Sequence, residues 1–107
     1  MRRVNRRVPM DVLLNHRVEG MPYLVRSRDV SMTGIFVERL LSPQFRNGAR
    51  VVLEFALPGE DVPIWADAEI MRCEREGLGL RFIGLSPNAS TKLRSYIDDR
   101  SSQLAAT

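Results

Sequence analysis

Hydrophobic and polar positions alternate with period two through most of the chain up to Ile83. Val8, Met10, Val12 and Leu14 alternate with Pro9, Asp11, Leu13 and Asn15, mostly the pattern of a half-buried strand. Glu19-Gly20-Met21-Pro22 predicts a turn, and Tyr23 to Arg28 a second strand with weaker alternation. Asp29-Val30-Ser31-Met32-Thr33-Gly34 is rich in side chains that bond their own backbone and ends in glycine, so it reads as a turn or bulge. Ile35 to Glu38 is apolar enough for a third strand. After a loop from Ser42-Pro43 to Asn47-Gly48, Val51, Leu53, Phe55 and Leu57 alternate with Arg50, Val52, Glu54 and Ala56, the clearest strand of the chain. Pro58-Gly59-Glu60-Asp61 closes a hairpin to Ile64, Ala66, Ala68 and Ile70, and Glu76-Gly77 leads to Leu78, Leu80 and Phe82. Six short strands between turn signals predict an all-β, antiparallel barrel or sandwich.

The last element breaks this rhythm. Ser86 followed by Pro87 is an N-cap with proline at the first helical position. Ala89, Leu93, Tyr96 and Ile97 then fall on one face of a helix. The chain thus divides into an arginine-rich segment at 1–7, a β-barrel with its C-terminal helix over 8–100, and a frayed tail at 101–107.

Composition changes the picture only through charge. With 44% apolar and 27% charged residues in 107, the chain has the make-up of one soluble globular domain. Its net charge is +3, from 16 basic and 13 acidic residues, and fifteen of the basic residues are arginine. Four of them, Arg2, Arg3, Arg6 and Arg7, precede the first strand; without them 12 basic residues face 13 acidic ones, a net −1. The molecule is a near-neutral body with a cationic segment at its start. With no binding face rich in lysine and arginine, nucleic acid is not the expected partner. The short apolar runs give neither a secretory signal nor a membrane span, and a single cysteine suits a reducing compartment, so a cytoplasmic protein without membrane insertion is expected.

Catalytic chemistry finds little support. His16 and Cys73 stand 57 positions apart, which excludes a zinc-ligand spacing, and no metal or other cofactor is expected. His16 reads as a surface residue at a polar strand end, and Cys73 as a small residue at a sheet position. Asp98 and Asp99 are neighbours on a helix, about 100° apart, and do not form a carboxylate pair. An enzyme is not the expected class.

A binding constellation is better supported. Arg3 and Arg7 stand four apart just before the first strand, doubled by Arg2 and Arg6, and Asp29, Ser31 and Gly34 occupy the turn between the second and third strands. Arg-x-x-x-Arg followed by Asp-x-Ser-x-x-Gly resembles the PilZ domain family, bacterial receptors for the second messenger cyclic di-GMP. Arg3-Val-Asn-Arg-Arg7 is similar to the family's first motif, Asp29-Val-Ser31-Met-Thr-Gly34 matches the second, and Gly77-Leu-Gly79-Leu-Arg-Phe82 looks like its last strand.

The resemblance implies a six-stranded antiparallel PilZ-type β-barrel with a C-terminal helix, binding cyclic di-GMP and signalling through its surface to a protein partner. The residue chemistry agrees. An arginine fork bonds guanine O6 and N7, or a phosphate, and its plane stacks on a base. A carboxylate such as Asp29 accepts from guanine's N1–H and amine, Ser31 offers a hydroxyl, and Gly34 leaves the ligand unobstructed. Residues 2–7 have nothing apolar to bury beyond Val4, so the segment at 1–7 is expected to be mobile until a ligand folds it onto the barrel. Arg2, a basic residue directly before the first motif arginine, implies by the same resemblance a stacked pair of cyclic di-GMP molecules per protomer. Two other readings remain: a PilZ-like interaction module that does not bind cyclic di-GMP, and an OB-like nucleic-acid binder. The pathway, the partner and the oligomeric state are open at this stage.

Overall fold

A computed structural model of the chain describes residues 6–18, 21–38 and 46–105. Its elements, in order, are β1 (Val8–Pro9), β2 (Leu13–Val18), β3 (Met21–Val30), β4 (Gly34–Glu38), β5 (Arg50–Phe55), β6 (Ile64–Cys73), β7 (Gly77–Leu85) and α1 (Pro87–Ala105). All strand pairs are antiparallel, in the order β3-β2-β5-β6-β7-β4, and pairing of β4 with β3 closes the ring. The result is a closed six-stranded barrel with one extra strand, β1, alongside β3.

The alternation read from the sequence decides which side chains enter the barrel. Val51, Leu53 and Phe55 of β5 and Ile64, Ala66, Ala68 and Ile70 of β6 are buried, while Arg50, Trp65 and Asp67 face out. Ser86 Oγ accepts from the Ala89 backbone N–H at 3.1 Å, the N-cap expected of a serine before proline. Ala89, Leu93 and Ile97 then pack the helix onto the barrel core. Tyr96 is half-buried beside them, and its hydroxyl donates to the Pro9 carbonyl at 2.8 Å, tying the helix to β1.

Three features differ from the sequence reading. The first strand is two pieces, β1 and β2, that run along the same edge of β3. The register passes from Pro9↔Asp29 to Leu13↔Arg26, so one extra residue is accommodated between them, as in a β-bulge. The buried Ser27 fills that break: its Oγ accepts from Val12 N–H at 3.0 Å and donates to the Met10 carbonyl. Alternation persists across the break, which is why it is invisible in the pattern. Secondly, the helix runs through Ala105, so residues 101–105 continue it where a frayed tail was expected. Thirdly, His16 is fully buried, not at the surface. It shares the inward phase of Leu14 on β2, between Tyr23 of β3 and Leu53 of β5. Desolvation lowers its pKa to about 4, which keeps the imidazole neutral at physiological pH.

Candidate functional site

The two sequence motifs meet at one end of β3. Asp29 is the last residue but one of that strand and pairs with Pro9 on one side and Phe36 on the other. Arg7, one residue before β1, is therefore carried to the same place by the β1–β3 pairing. Its Nε donates to Asp29 Oδ1 at 2.7 Å, and its Nη1 lies 3.5 Å from Ser31 Oγ. Both side chains of the ion pair are well exposed, 45% for Arg7 and 38% for Asp29, so solvent or a ligand reaches them.

Ser31 plays a different part from its neighbours. It is fully buried, and its Oγ accepts from the backbone N–H groups of Thr33 and Gly34, each at 3.2 Å. The Ser31 N–H donates to the Gly34 carbonyl at 2.8 Å, and the Ser31 and Thr33 hydroxyls are 3.1 Å apart. These bonds make the turn. Ser31, expected to offer its hydroxyl to a ligand, is turned into the loop and holds its shape.

Gly34 also has a structural requirement that the motif does not show. A Cβ at this position would stand 2.3 Å from the Leu80 carbonyl oxygen, so the close approach of β4 to β7 admits glycine alone. Its pairing partner on β7 is Arg81, whose exposed guanidinium bonds Glu69 at 2.7 Å. Strand alternation points Arg81 outward, but only the β4–β7 register puts it beside the motif. Arg6 is exposed, with no hydrogen bond or ion pair to the described residues. Arg2 and Arg3 lie outside the described residues, as does most of the arginine segment at 1–7.

The chemistry on offer is recognition. Arg7 has five N–H donors in a planar fork, and among the described residues only Nε and Nη1 face acceptors. Asp29 Oδ2 bonds no described residue, which leaves an acceptor beside those donors. The described residues contain no group of three or more His, Cys, Asp or Glu that could hold a metal ion, and no helix among them is long and apolar enough to cross a membrane.

Comparison with known proteins agrees with this fold. The barrel resembles the Bacillus subtilis inhibitor of motility MotI/DgrA, with a TM-score of 0.84 and 21% identity over 96% of this chain. This chain spans about half of that protein, 53% of its length. It also resembles the PilZ domain with c-di-GMP of YcgR from Escherichia coli, with a TM-score of 0.75, 18% identity, and coverage of 97% of this chain and 95% of that one. A third similar fold is the PilZ domain of CeSA from a cellulose-synthesizing bacterium, with a TM-score of 0.69, 14% identity and coverage of 88% and 96%. No curated protein matches the sequence. The PilZ domain model matches residues 1–99, a span that includes both motifs, the whole barrel and most of the helix, and the chain therefore belongs to the PilZ domain family.

Proposed function

We propose that this protein is a receptor for cyclic di-GMP, with Arg7 and Asp29 as the part of its site that touches the ligand. The supporting observation is the exposed Arg7–Asp29 pair, 2.7 Å apart and braced by the Ser31 turn, in a family whose YcgR member has been solved with c-di-GMP. Arg7 supplies donors for a phosphate or for guanine O6 and N7, and its plane can stack on a base. Asp29 supplies the acceptor for guanine's N1–H and amine. Arg3, Arg2 and Arg6 complete the cationic side, with Arg2 favouring a stacked pair of ligands. Ser31 and Gly34 act one step back, by holding Asp29 and the turn in place. Like its family, the protein works as a regulatory module and not as an enzyme. Its output is a changed surface, with the first seven residues laid over bound ligand and presented to a protein partner in the cytoplasm.

The test separates binding from folding. An exposed ion pair contributes about 0–1 kcal/mol to stability, so Arg7→Ala and Asp29→Ala should melt close to the wild type. Each should nevertheless lose most of its affinity for cyclic di-GMP in a calorimetric titration. Wild-type affinity retained in both variants would remove these residues from the site. Unfolding of Asp29→Ala would make its role structural.

A further inference from the structure

The wall of the barrel directly opposite the Arg7–Asp29 site is also built for contact. In the six-stranded ring, β5 and β6 lie across from β4 and β3. Their outer faces, with that of β2, surround a cavity of about 570 Å³ lined by Arg17, Arg50, Val52, Trp65 and Asp67. Trp65 is 50% exposed, and Leu24, 59% exposed, lies in the same cross-strand row through Asn15 and Glu54. The polar Asn15 and Glu54 separate the two in that row, so it is Trp65, beside Val52 and the charged side chains that line the cavity, that makes this face a candidate contact surface.

Charge decides what kind. Arg17 is already committed: its guanidinium lies 5.7 Å from the Trp65 ring centroid and 3.8 Å from Glu54. Glu69 is committed to Arg81. The side chains of Arg50 and Asp67, which line the cavity, make no ion pair or hydrogen bond with any described residue. Two arginines thus face two carboxylates, Glu54 and Asp67, and the patch is neutral. A phosphate-bearing ligand would meet both carboxylates, so a polyanion is disfavoured. A protein surface with one acid and one base flanking an apolar centre fits.

We propose that this occupant is a second copy of the chain, in a two-fold dimer that pairs Arg50 of each protomer with Asp67 of the other around the two Trp65 side chains. In an isologous interface every contact i–j recurs as j–i. A patch with one uncommitted cation and one uncommitted anion beside a tryptophan is therefore complementary to itself. Trp and Arg are the residues that most often dominate protein interfaces, and Arg17 stacked on Trp65 is preorganised, which lowers the entropy lost on contact. The two Arg7–Asp29 sites would face away from the interface, and the dimer does not depend on ligand.

Sedimentation velocity of the ligand-free chain over a range of concentrations tests this, with fluorescence of Trp65, the single tryptophan, as an independent reporter. A concentration-dependent dimer is expected, with Trp65 emission moving to shorter wavelength as it forms. Arg50→Asp and Asp67→Arg should each weaken the dimer by about tenfold or more, since like charges then oppose each other. The double variant, Arg50→Asp with Asp67→Arg, should restore it. A monomer at every concentration would overturn the proposal, as would a dimer with unmoved Trp65 emission or a double variant no tighter than the singles.

Discussion

Ser31 and Gly34 serve the same turn by different physics, and substitution separates them. Ser31→Ala removes the acceptor for two backbone N–H groups, that of Gly34, which is buried, and that of Thr33, which is partly so. An unsatisfied buried donor costs about 1–3 kcal/mol, so a loss of that size is expected in urea unfolding. Gly34→Ala instead drives a Cβ into the Leu80 carbonyl, and backbone cannot rotate away as a side chain does. Overpacking of this kind costs about 1–3 kcal/mol and should loosen β4 from β7, visible as faster amide exchange along both strands. Unchanged exchange in Gly34→Ala would show that the strands absorb the extra carbon. His16 makes a further prediction at this scale. Its folded pKa of about 4 lies below the ordinary 6.5, so the unfolded chain binds the proton more readily. Stability is therefore full above pH 6.5 and falls as pH drops from there toward 4, by about 3 kcal/mol in all. His16→Gln should lack this part of the acid dependence while keeping the part due to carboxylates. An identical pH profile in the variant would count against a buried neutral imidazole.

At the scale of elements, most of the architecture is written in period-two alternation, and what is missing has identifiable causes. The strands β5 and β6 are legible because each has one wet and one dry face, with Val51, Leu53 and Phe55 inward against Arg50 and Glu54 outward. The split between β1 and β2 is not, because the register shift at Met10 to Val12 leaves the inward phase of Val8, Met10 and Leu14 intact. His16 shows the opposite: its polarity predicts the surface, while its phase, shared with Leu14, sets it in the core. The site shows the same division. Arg7, Asp29, Ser31 and Gly34 are legible as motif residues, but the burial of Ser31 and the arrival of Arg81 beside Gly34 depend on pairing between strands distant in sequence. The helix is attached to this system through Tyr96, whose hydroxyl bonds Pro9, two residues after Arg7. Tyr96→Phe should cost about 0.5–1.5 kcal/mol and speed amide exchange in β1 more than in β5. Equal effects on the two strands would deny the helix a specific hold on β1.

For the whole molecule, the charge excess of +3 resolves into a near-neutral body and four arginines at positions 2–7, the last of which, Arg7, is carried to the barrel wall by the β1–β3 pairing. The Arg7–Asp29 pair sets Arg7, the last residue of that segment, on the exposed edge of the turn between β3 and β4, at one wall of a closed barrel. Closure matters to the proposed function because a closed barrel is a platform against which ordering of a short cationic segment by ligand would change the surface presented to a partner. The central claim is that this platform recognises cyclic di-GMP by its guanines as well as its phosphates. Isothermal titration of the wild-type protein with cyclic di-GMP, cyclic di-AMP and GTP tests it most directly. The account predicts saturable heat with cyclic di-GMP and none comparable with the other two, because adenine lacks the donors that Asp29 accepts and GTP lacks the cyclic pair of phosphates. No heat with cyclic di-GMP, or equal heat with cyclic di-AMP, would contradict it.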